Sequence, residues 1–307
     1  MARRRKGIAV HGWVVLDKPP GMTSTQAVGA VRRIFDARKA GHAGTLDPLA
    51  TGVLPIALGE ATKTVPYAVE GRKHYRFTVR WGAATDTDDA EGTVIATSDS
   101  RPNRTAIEAQ LGKFTGTIAQ IPPVFSAIKI GGDRAYDLAR AGEAVSLQPR
   151  PVIVFSLKLA EIIGTDTATF EAECGKGTYV RALARDMGAA LGCLGHLTAL
   201  RRTHVAGFSE ADAVSLDALK EAAARAGGPP FSCLLPVEAA LCELPALNVG
   251  QSDAARLLRG QPVLLRGRDS PATAGGHTYA TCKGNLIAVG RIERGEMHPV
   301  RVFRLED

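Results

Sequence analysis

No stretch of this 307-residue sequence approaches the roughly 18 consecutive apolar residues of a membrane-crossing helix, so no membrane span is expected. Cysteine is scarce and scattered. Cys174, Cys193, Cys233, Cys242 and Cys282 are odd in number, form no C-x-x-C pair and have no paired histidines nearby. That argues against a zinc site and against a disulfide framework, and reduced thiols in a cytoplasmic protein are expected. No other metal-ligand cluster and no glycine-rich phosphate cradle is present, so the expected chemistry uses neither metal nor cofactor. No internal repeat is visible. The start, Met1-Ala2-Arg3-Arg4-Arg5-Lys6, is basic, but no long apolar stretch follows it. It makes a poor secretory signal and reads as an arm near phosphates or a solvated tail.

The composition is that of an ordinary globular protein, with 45% hydrophobic and 22% charged residues, enough chain for one large domain and a small one. A formal net charge of +7 and a pI of about 9.3 are compatible with a nucleic-acid partner without requiring one. The most informative segment is Gly41-His42-Ala43-Gly44-Thr45-Leu46-Asp47-Pro48-Leu49-Ala50-Thr51-Gly52. It holds a single carboxylate, Asp47, among glycines that open backbone shapes closed to other residues, and Pro48 drives Asp47 towards an extended conformation. Arg32, Arg33, Arg38 and Lys39 lie just upstream. A lone acid in a basic neighbourhood suits chemistry on a polyanion. The bland alternative is a glycine-rich turn in which Asp47 caps a helix.

Periodicity places the other elements. Thr23 and Gln26 have capping-box spacing ahead of a helix over about 24–36, which delivers the chain to the Asp47 loop. His74 to Trp81 alternates, with Tyr75, Phe77, Val79 and Trp81 on one face of a half-buried strand. Residues 85–92 form an acidic turn-rich loop, read as structural rather than metal-binding. Thr105 and Glu108 suggest a second capping box. Residues 121–150, with paired prolines, Gly131-Gly132, Lys129, Arg134, Arg140 and Arg150, read as an insertion on the sheet. A strand through Phe170, Ala172 and Cys174 ends at Gly175-Lys176-Gly177, and Thr178 looks like the N-cap of a helix with Val180, Leu183, Ala184, Met187 and Leu191 on its buried stripe. Lys176 and Arg181 beside that N-terminus make a candidate anion site. A helix from Ser215 to Ala226 stops at Gly227-Gly228-Pro229-Pro230, the best candidate linker, and a β-rich remainder with a short helix near Ser252–Leu258 follows.

Four blocks carry a family resemblance: Lys18-Pro19-Pro20-Gly21-Met22-Thr23-Ser24, the Asp47 loop, Ile121-Pro122-Pro123-Val124-Phe125-Ser126-Ala127-Ile128-Lys129 and Lys176-Gly177-Thr178-Tyr179-Val180-Arg181. In order and content they resemble the tRNA pseudouridine-55 synthases, the TruB family, over roughly residues 11–205. Ala43 and Phe125 stand where Thr and Tyr are frequent, and neither is an expected catalytic group. The resemblance implies an α+β pseudouridine synthase fold, a mixed and mostly antiparallel sheet flanked by helices. It implies a catalytic domain over residues 1–235, with 121–150 gripping the RNA, and a small PUA-like RNA-binding domain over 236–307.

The same resemblance implies isomerisation of a uridine in the T arm of tRNA, by a monomer that needs no protein partner. Asp47 would act at the ribose–base junction, as nucleophile or as base. His42 would enter the gap left by the extruded base, Tyr75 would stack on that base and help at C5, and Tyr179 would wall the pocket. Arg181 would pair with Asp47 and keep it ionised. Lys18 reads as structural or phosphate-facing, and Lys176, Arg201 and Arg202 as contacts to the RNA backbone. Three other readings remain open at this point: an RNA-guided pseudouridylase, a non-catalytic tRNA-folding protein, and a nucleoside hydrolase that attacks the same carbon.

Overall fold

A computed structural model describes residues 7–126, 128–130, 133–134, 136, 146–265 and 276–305, with residues 129, 130, 133 and 134 described by backbone alone. The central element is a ten-stranded sheet. Its main path runs Val214–Ser215, Gly12–Lys18, Thr51–Leu58, Gly195–Val205, Lys73–Trp81, Thr167–Cys174, Arg150–Ile163 and Gly116–Gln120. Ala40–His42 pairs with Thr51–Leu58, and Phe208–Ser209 with Gly195–Val205. Two neighbouring pairs are parallel, Gly12–Lys18 with Val214–Ser215 and Thr51–Leu58 with Gly195–Val205; the rest are antiparallel.

The strand sequences explain which faces are covered. Gly12–Lys18 and Thr51–Leu58 are nearly continuous apolar runs, buried on both sides. Val14, Leu16, Leu54 and Ile56 enter one core with Val31 of the helix Ser24–Ile34, its C-cap Phe35, and Leu183 and Met187 of the helix Val180–Ala190. Trp13, Val15, Val53 and Ala57 enter a second core on the opposite face. Lys73–Trp81 alternates as expected: Phe77, Val79 and Trp81 are buried, while Arg76 and Arg80 are exposed on the other side.

The first helix matches its sequence signature. Thr23 caps Ser24–Ile34 through a complete capping box with Gln26, and Arg32 and Arg33 lie in its last turn, where cations suit the helix dipole. Two caps differ from expectation. The helix Arg104–Leu111 is capped by Asn103, whose side chain accepts the Ala106 N–H, because Asn reaches the free amide one turn ahead while Thr105 is already helical. Val180–Ala190 begins after Tyr179 and has no side-chain cap; the Thr178 hydroxyl turns to the Ile153 carbonyl instead.

The C-terminal module is a five-stranded sheet in the order Ala246–Asn248, His277–Cys282, Asn285–Glu293, Glu296–Val302 and Val263–Leu264, with the helix Gln251–Leu258 against it. Leu286, Val289 and Phe303 join Trp13, Phe208 and Leu241 in the second core, so the module seals the far face of the catalytic sheet. The boundary expected at residue 235 falls inside this seam. Leu235 exchanges two backbone hydrogen bonds of 2.8 Å with Trp13, and Val237, Ala240 and Leu241 are buried against the catalytic sheet. The chain therefore stays packed against the ten-stranded sheet as far as Leu241. In the 121–150 segment, Lys129–Ile130 pairs with Asp133–Arg134 as a short hairpin, and Phe125 and Tyr136 meet edge-to-face at 6.0 Å. Gly131, Gly132 and Arg140 of the expected grip lie outside the described residues.

Candidate active site

The Asp47 loop lies between two strands that pair with each other, Ala40–His42 and Thr51–Leu58. It is irregular in shape but tied at many points. Ser24, at the start of the first helix, hooks Leu46 twice: its hydroxyl donates to the Leu46 carbonyl at 3.0 Å and accepts the Leu46 N–H at 2.9 Å. Gly21 N–H donates to the Pro48 carbonyl at 2.9 Å, and Ala50 N–H to the Asp47 carbonyl at 3.1 Å.

Two cations hold the loop from behind. Lys18 Nζ donates to the carbonyls of Met22, Pro19 and Pro48 at 2.7, 2.9 and 3.2 Å. Arg202 donates to the carbonyls of Val53, Gly44 and Thr45 at 2.9, 3.0 and 3.4 Å. Both side chains are fully buried. Arg202, read from the sequence as a contact to the RNA backbone, turns inward instead, and Lys18 fits the structural one of its two readings. Lys18 ends a strand buried on both faces, and all three of its N–H groups are used on carbonyls, so it offers nothing to a phosphate or to substrate. Burial pulls its pKa down to about 8, against a smaller opposing pull from Asp47. Arg202 has no route to an RNA backbone. Arg201, its neighbour on the opposite face, is half-exposed, clasps Asp17 with both Nη atoms at 3.0 and 3.1 Å and also meets Glu210.

Lys18→Met would leave the Met22 and Pro19 carbonyls without that donor, while Pro48 keeps Gly21. The expected result is a loss of about 1–3 kcal/mol in urea unfolding, the cost of an unsatisfied buried acceptor.

Arg181 meets Asp47 as the sequence suggests, and a third group joins them. Its Nε lies 2.9 Å from Asp47 Oδ2 and 3.6 Å from Asp89 Oδ2, close enough for ion pairing although neither contact is aligned as a hydrogen bond. The guanidinium is fixed by its other nitrogens, which donate to the carbonyls of Thr87 and Phe125, both at 2.9 Å. Arg181 is 6% exposed, whereas the Asp47 side chain is 36% exposed. The cation is thus a buried platform and the carboxylate its accessible end.

Asp89 went unrecognised as a site residue. It is buried, accepts from the Thr87 hydroxyl at 2.6 Å and from the Glu91 N–H at 3.0 Å, and brings the acidic 85–92 loop under Arg181. Asp88 in the same loop pairs with Arg185 at 2.9 Å. No metal-ligand cluster occurs among the described residues. Gln120 is another residue without a sequence signal: its buried amide accepts the Tyr179 N–H and donates to the Tyr179 carbonyl, at 2.8 and 3.1 Å.

Tyr75 and Tyr179 both lie within the field of Asp47, and burial raises the pKa of each phenol. His42 is half-buried with no partner for its Nδ1; burial, helped by Arg202, lowers its pKa and favours the neutral ring. Lys176 is exposed and contacts Glu70 rather than Asp47. Lys176, Arg150 and Tyr179 line a cavity of about 140 Å³ beside the helix N-terminus.

Comparison with known proteins follows the same outline. Residues 32–180 match the N-terminal domain of the TruB family of pseudouridylate synthases, and residues 181–242 match the tRNA pseudouridylate synthase B C-terminal domain. The chain is 61% identical over 305 residues to a tRNA pseudouridine synthase B of Bradyrhizobium diazoefficiens, covering 98% of this chain and 88% of that protein. It is 53% identical to the protein of the same name from Rhizobium meliloti, covering 98% of each. Among solved structures, it superposes on a chain of a Cbf5-Nop10-Gar1 complex with a TM-score of 0.74, at 26% identity, covering 96% of this chain and 84% of that one. A chain from an H/ACA RNP bound to a substrate RNA containing 2′-deoxyuridine gives 0.75 at 24% identity, covering 100% and 92%, a likeness of fold.

Proposed function

The chain belongs to the TruB family of pseudouridylate synthases, and on that premise we propose that Asp47 carries the conversion of uridine 55 in the tRNA T loop to pseudouridine. The observation that carries the assignment is the accessible carboxylate of Asp47 on a loop tied down by Ser24, Lys18 and Arg202 and backed by the buried Arg181.

The reaction breaks the bond from ribose C1′ to uracil N1, turns the base and joins C5 to C1′; C5 loses its proton and the freed N1 takes one up, so the product is an isomer. No atom is added and no electron is transferred. A carboxylate beside C1′ supplies the nucleophile or base that this isomerisation needs. Arg181 holds it with positive charge, in a site where burial strengthens that interaction. The target base has to leave its stack to reach Asp47. Tyr75 and Tyr179 offer faces for it, and the neutral ring of His42 suits a place among the remaining bases. T-arm recognition then rests on hairpin shape, splayed bases and phosphates. The chain works as a cytoplasmic monomer on free tRNA, and its C-terminal sheet serves as a PUA-like accessory RNA-binding module.

The direct test is to react a uridine-labelled tRNA transcript with the purified chain and analyse the nucleosides. Pseudouridine at position 55 alone, from protein and RNA only, is the expected product. Free uracil would point to a hydrolase, and a requirement for guide RNA to a guided enzyme.

The RNA path makes a second prediction. Arg32, Arg33, Lys39 and Lys176 are exposed, and Arg150, the last residue of the 121–150 segment, opens the strand Arg150–Ile163. Affinity should fall steeply with salt as neutralised phosphates release counter-ions. Deleting residues 131–143 should weaken tRNA binding and flatten that salt slope while the sheet stays folded. Filter binding at several salt concentrations checks it; unchanged affinity and slope would make the segment a plain surface loop.

A further inference from the structure

The proposed function uses Arg202 only as a tie on the Asp47 loop. Its side chain is 1% exposed, so no phosphate reaches it. Its electrostatic neighbours make its burial harder. The charge of Arg202 opposes protonation of Lys18, His42 and Lys73, and the titratable group that favours it is the Tyr75 phenol. A guanidinium buried without a carboxylate partner is costly unless its N–H groups are well satisfied.

The hydrogen bonds that satisfy it are not scattered. Nη2 and Nη1 donate to the carbonyls of Gly44 and Thr45, three and two residues before Asp47. Nε donates to the carbonyl of Val53, on the strand that leaves the loop. The Tyr75 phenol lies close enough to the guanidinium to favour its charge. Strand register produces this arrangement: Arg202 stands opposite Tyr75 on one neighbouring strand and opposite Gly52 on the other. One side chain therefore grips both ends of the Asp47 loop from the strand position opposite the ring proposed to receive the base. The guanidinium is a planar fork with fixed directions for its N–H groups, so it fixes relative positions in a way a lysine ammonium does not.

We propose that Arg202 is a positioning residue for the reaction, setting the Asp47 loop against the Tyr75 ring through the carbonyls of Gly44 and Thr45 and its register opposite Tyr75. This rests on the reading of Asp47 and Tyr75 as site residues. It predicts that the contribution of Arg202 runs through Tyr75 and is expressed in the chemical step rather than in RNA affinity.

The experiment measures kcat and KM on a tRNA transcript for Arg202→Lys, Tyr75→Phe, the double variant and Asp47→Asn, with thermal unfolding of each. Arg202→Lys should lower kcat about 100-fold and change KM less than about threefold. The double variant should be no slower than the slower single, since the two side chains act as one unit. A raised KM with kcat intact would make Arg202 an RNA contact and overturn the proposal. So would multiplying losses in the double variant, or a kcat loss that only tracks the unfolded fraction. Should Arg202→Lys fail to fold, Gly44→Ala presses on the same contact from the loop side, where a Cβ would lie 3.3 Å from Arg202 Nη1; it should lower kcat at nearly constant KM, and full activity would sink the idea. Asp47→Asn separates the two readings. Turnover in that variant would undo the site assignment, whereas an inactive Asp47→Asn beside a fully active Arg202→Lys would undo only the positioning role.

Discussion

Asp47→Asn should lower pseudouridine formation by about ten-thousand-fold or more and still give a folded protein that binds tRNA. The chemical half follows from the loss of the carboxylate: the amide is neither a nucleophile nor a base at C1′. The structural half follows from what Arg181 keeps. Removing one partner of a buried ion pair is usually destabilising, because it leaves a charge uncompensated. Here the buried partner is the cation, and Asp89 remains 3.6 Å from its Nε, with the Thr87 and Phe125 carbonyls on its other nitrogens. Asp47 itself is more than a third exposed, so little packing changes when it becomes an amide. Single-turnover assays on labelled tRNA, with binding and thermal unfolding measured on the same preparation, check both halves. Near-normal turnover would remove Asp47 from the reaction. A collapsed protein would mean that the second carboxylate does not sustain Arg181.

Asp47 stands out in the sequence as one acid in a loop of glycine, proline and small residues, but that pattern fits a structural turn as well as chemistry, and the family resemblance is what points to chemistry. The first helix and the Tyr75 strand were legible because capping boxes and strict alternation are local signals, and nothing in the tertiary structure overrode them. Cation direction was not legible. Lys18, Arg201 and Arg202 are long charged side chains, which face solvent by default. The sequence GWVVLDK shows a strand buried on both sides, but not that its last residue is drawn in with it. Arg201 and Arg202 point to opposite faces because successive residues on a strand do, and only the register with Gly52 and Tyr75 decides which one enters the site. Asp89 was hidden among Asp86, Asp88 and Glu91, four similar acids in one turn. Its role comes from contact with Arg181, 92 residues further along the chain, and no local pattern reports that.

Gly52→Ala should be the most damaging small substitution in the loop. At Gly52, φ is +96°, a conformation that side chains rarely adopt, and an added Cβ would lie 2.2 Å from the Arg202 carbonyl oxygen and 3.0 Å from its amide nitrogen. Those atoms are backbone in a neighbouring strand and cannot swing aside as a flexible side chain would. Backbone strain and overpacking each cost about 1–3 kcal/mol, so a loss of about 3 kcal/mol or more is expected in urea unfolding. The strand of Arg202 would have to retreat, taking the guanidinium from the Gly44 and Thr45 carbonyls, so kcat should fall even in the fraction that folds. Gly41, eleven residues earlier, is the internal control. A Cβ there meets nothing within 4 Å, so Gly41→Ala should stay within about 0.5 kcal/mol of the parent. Equal stability of the two variants would show that the close approach of Gly52 to Arg202 does not constrain the loop.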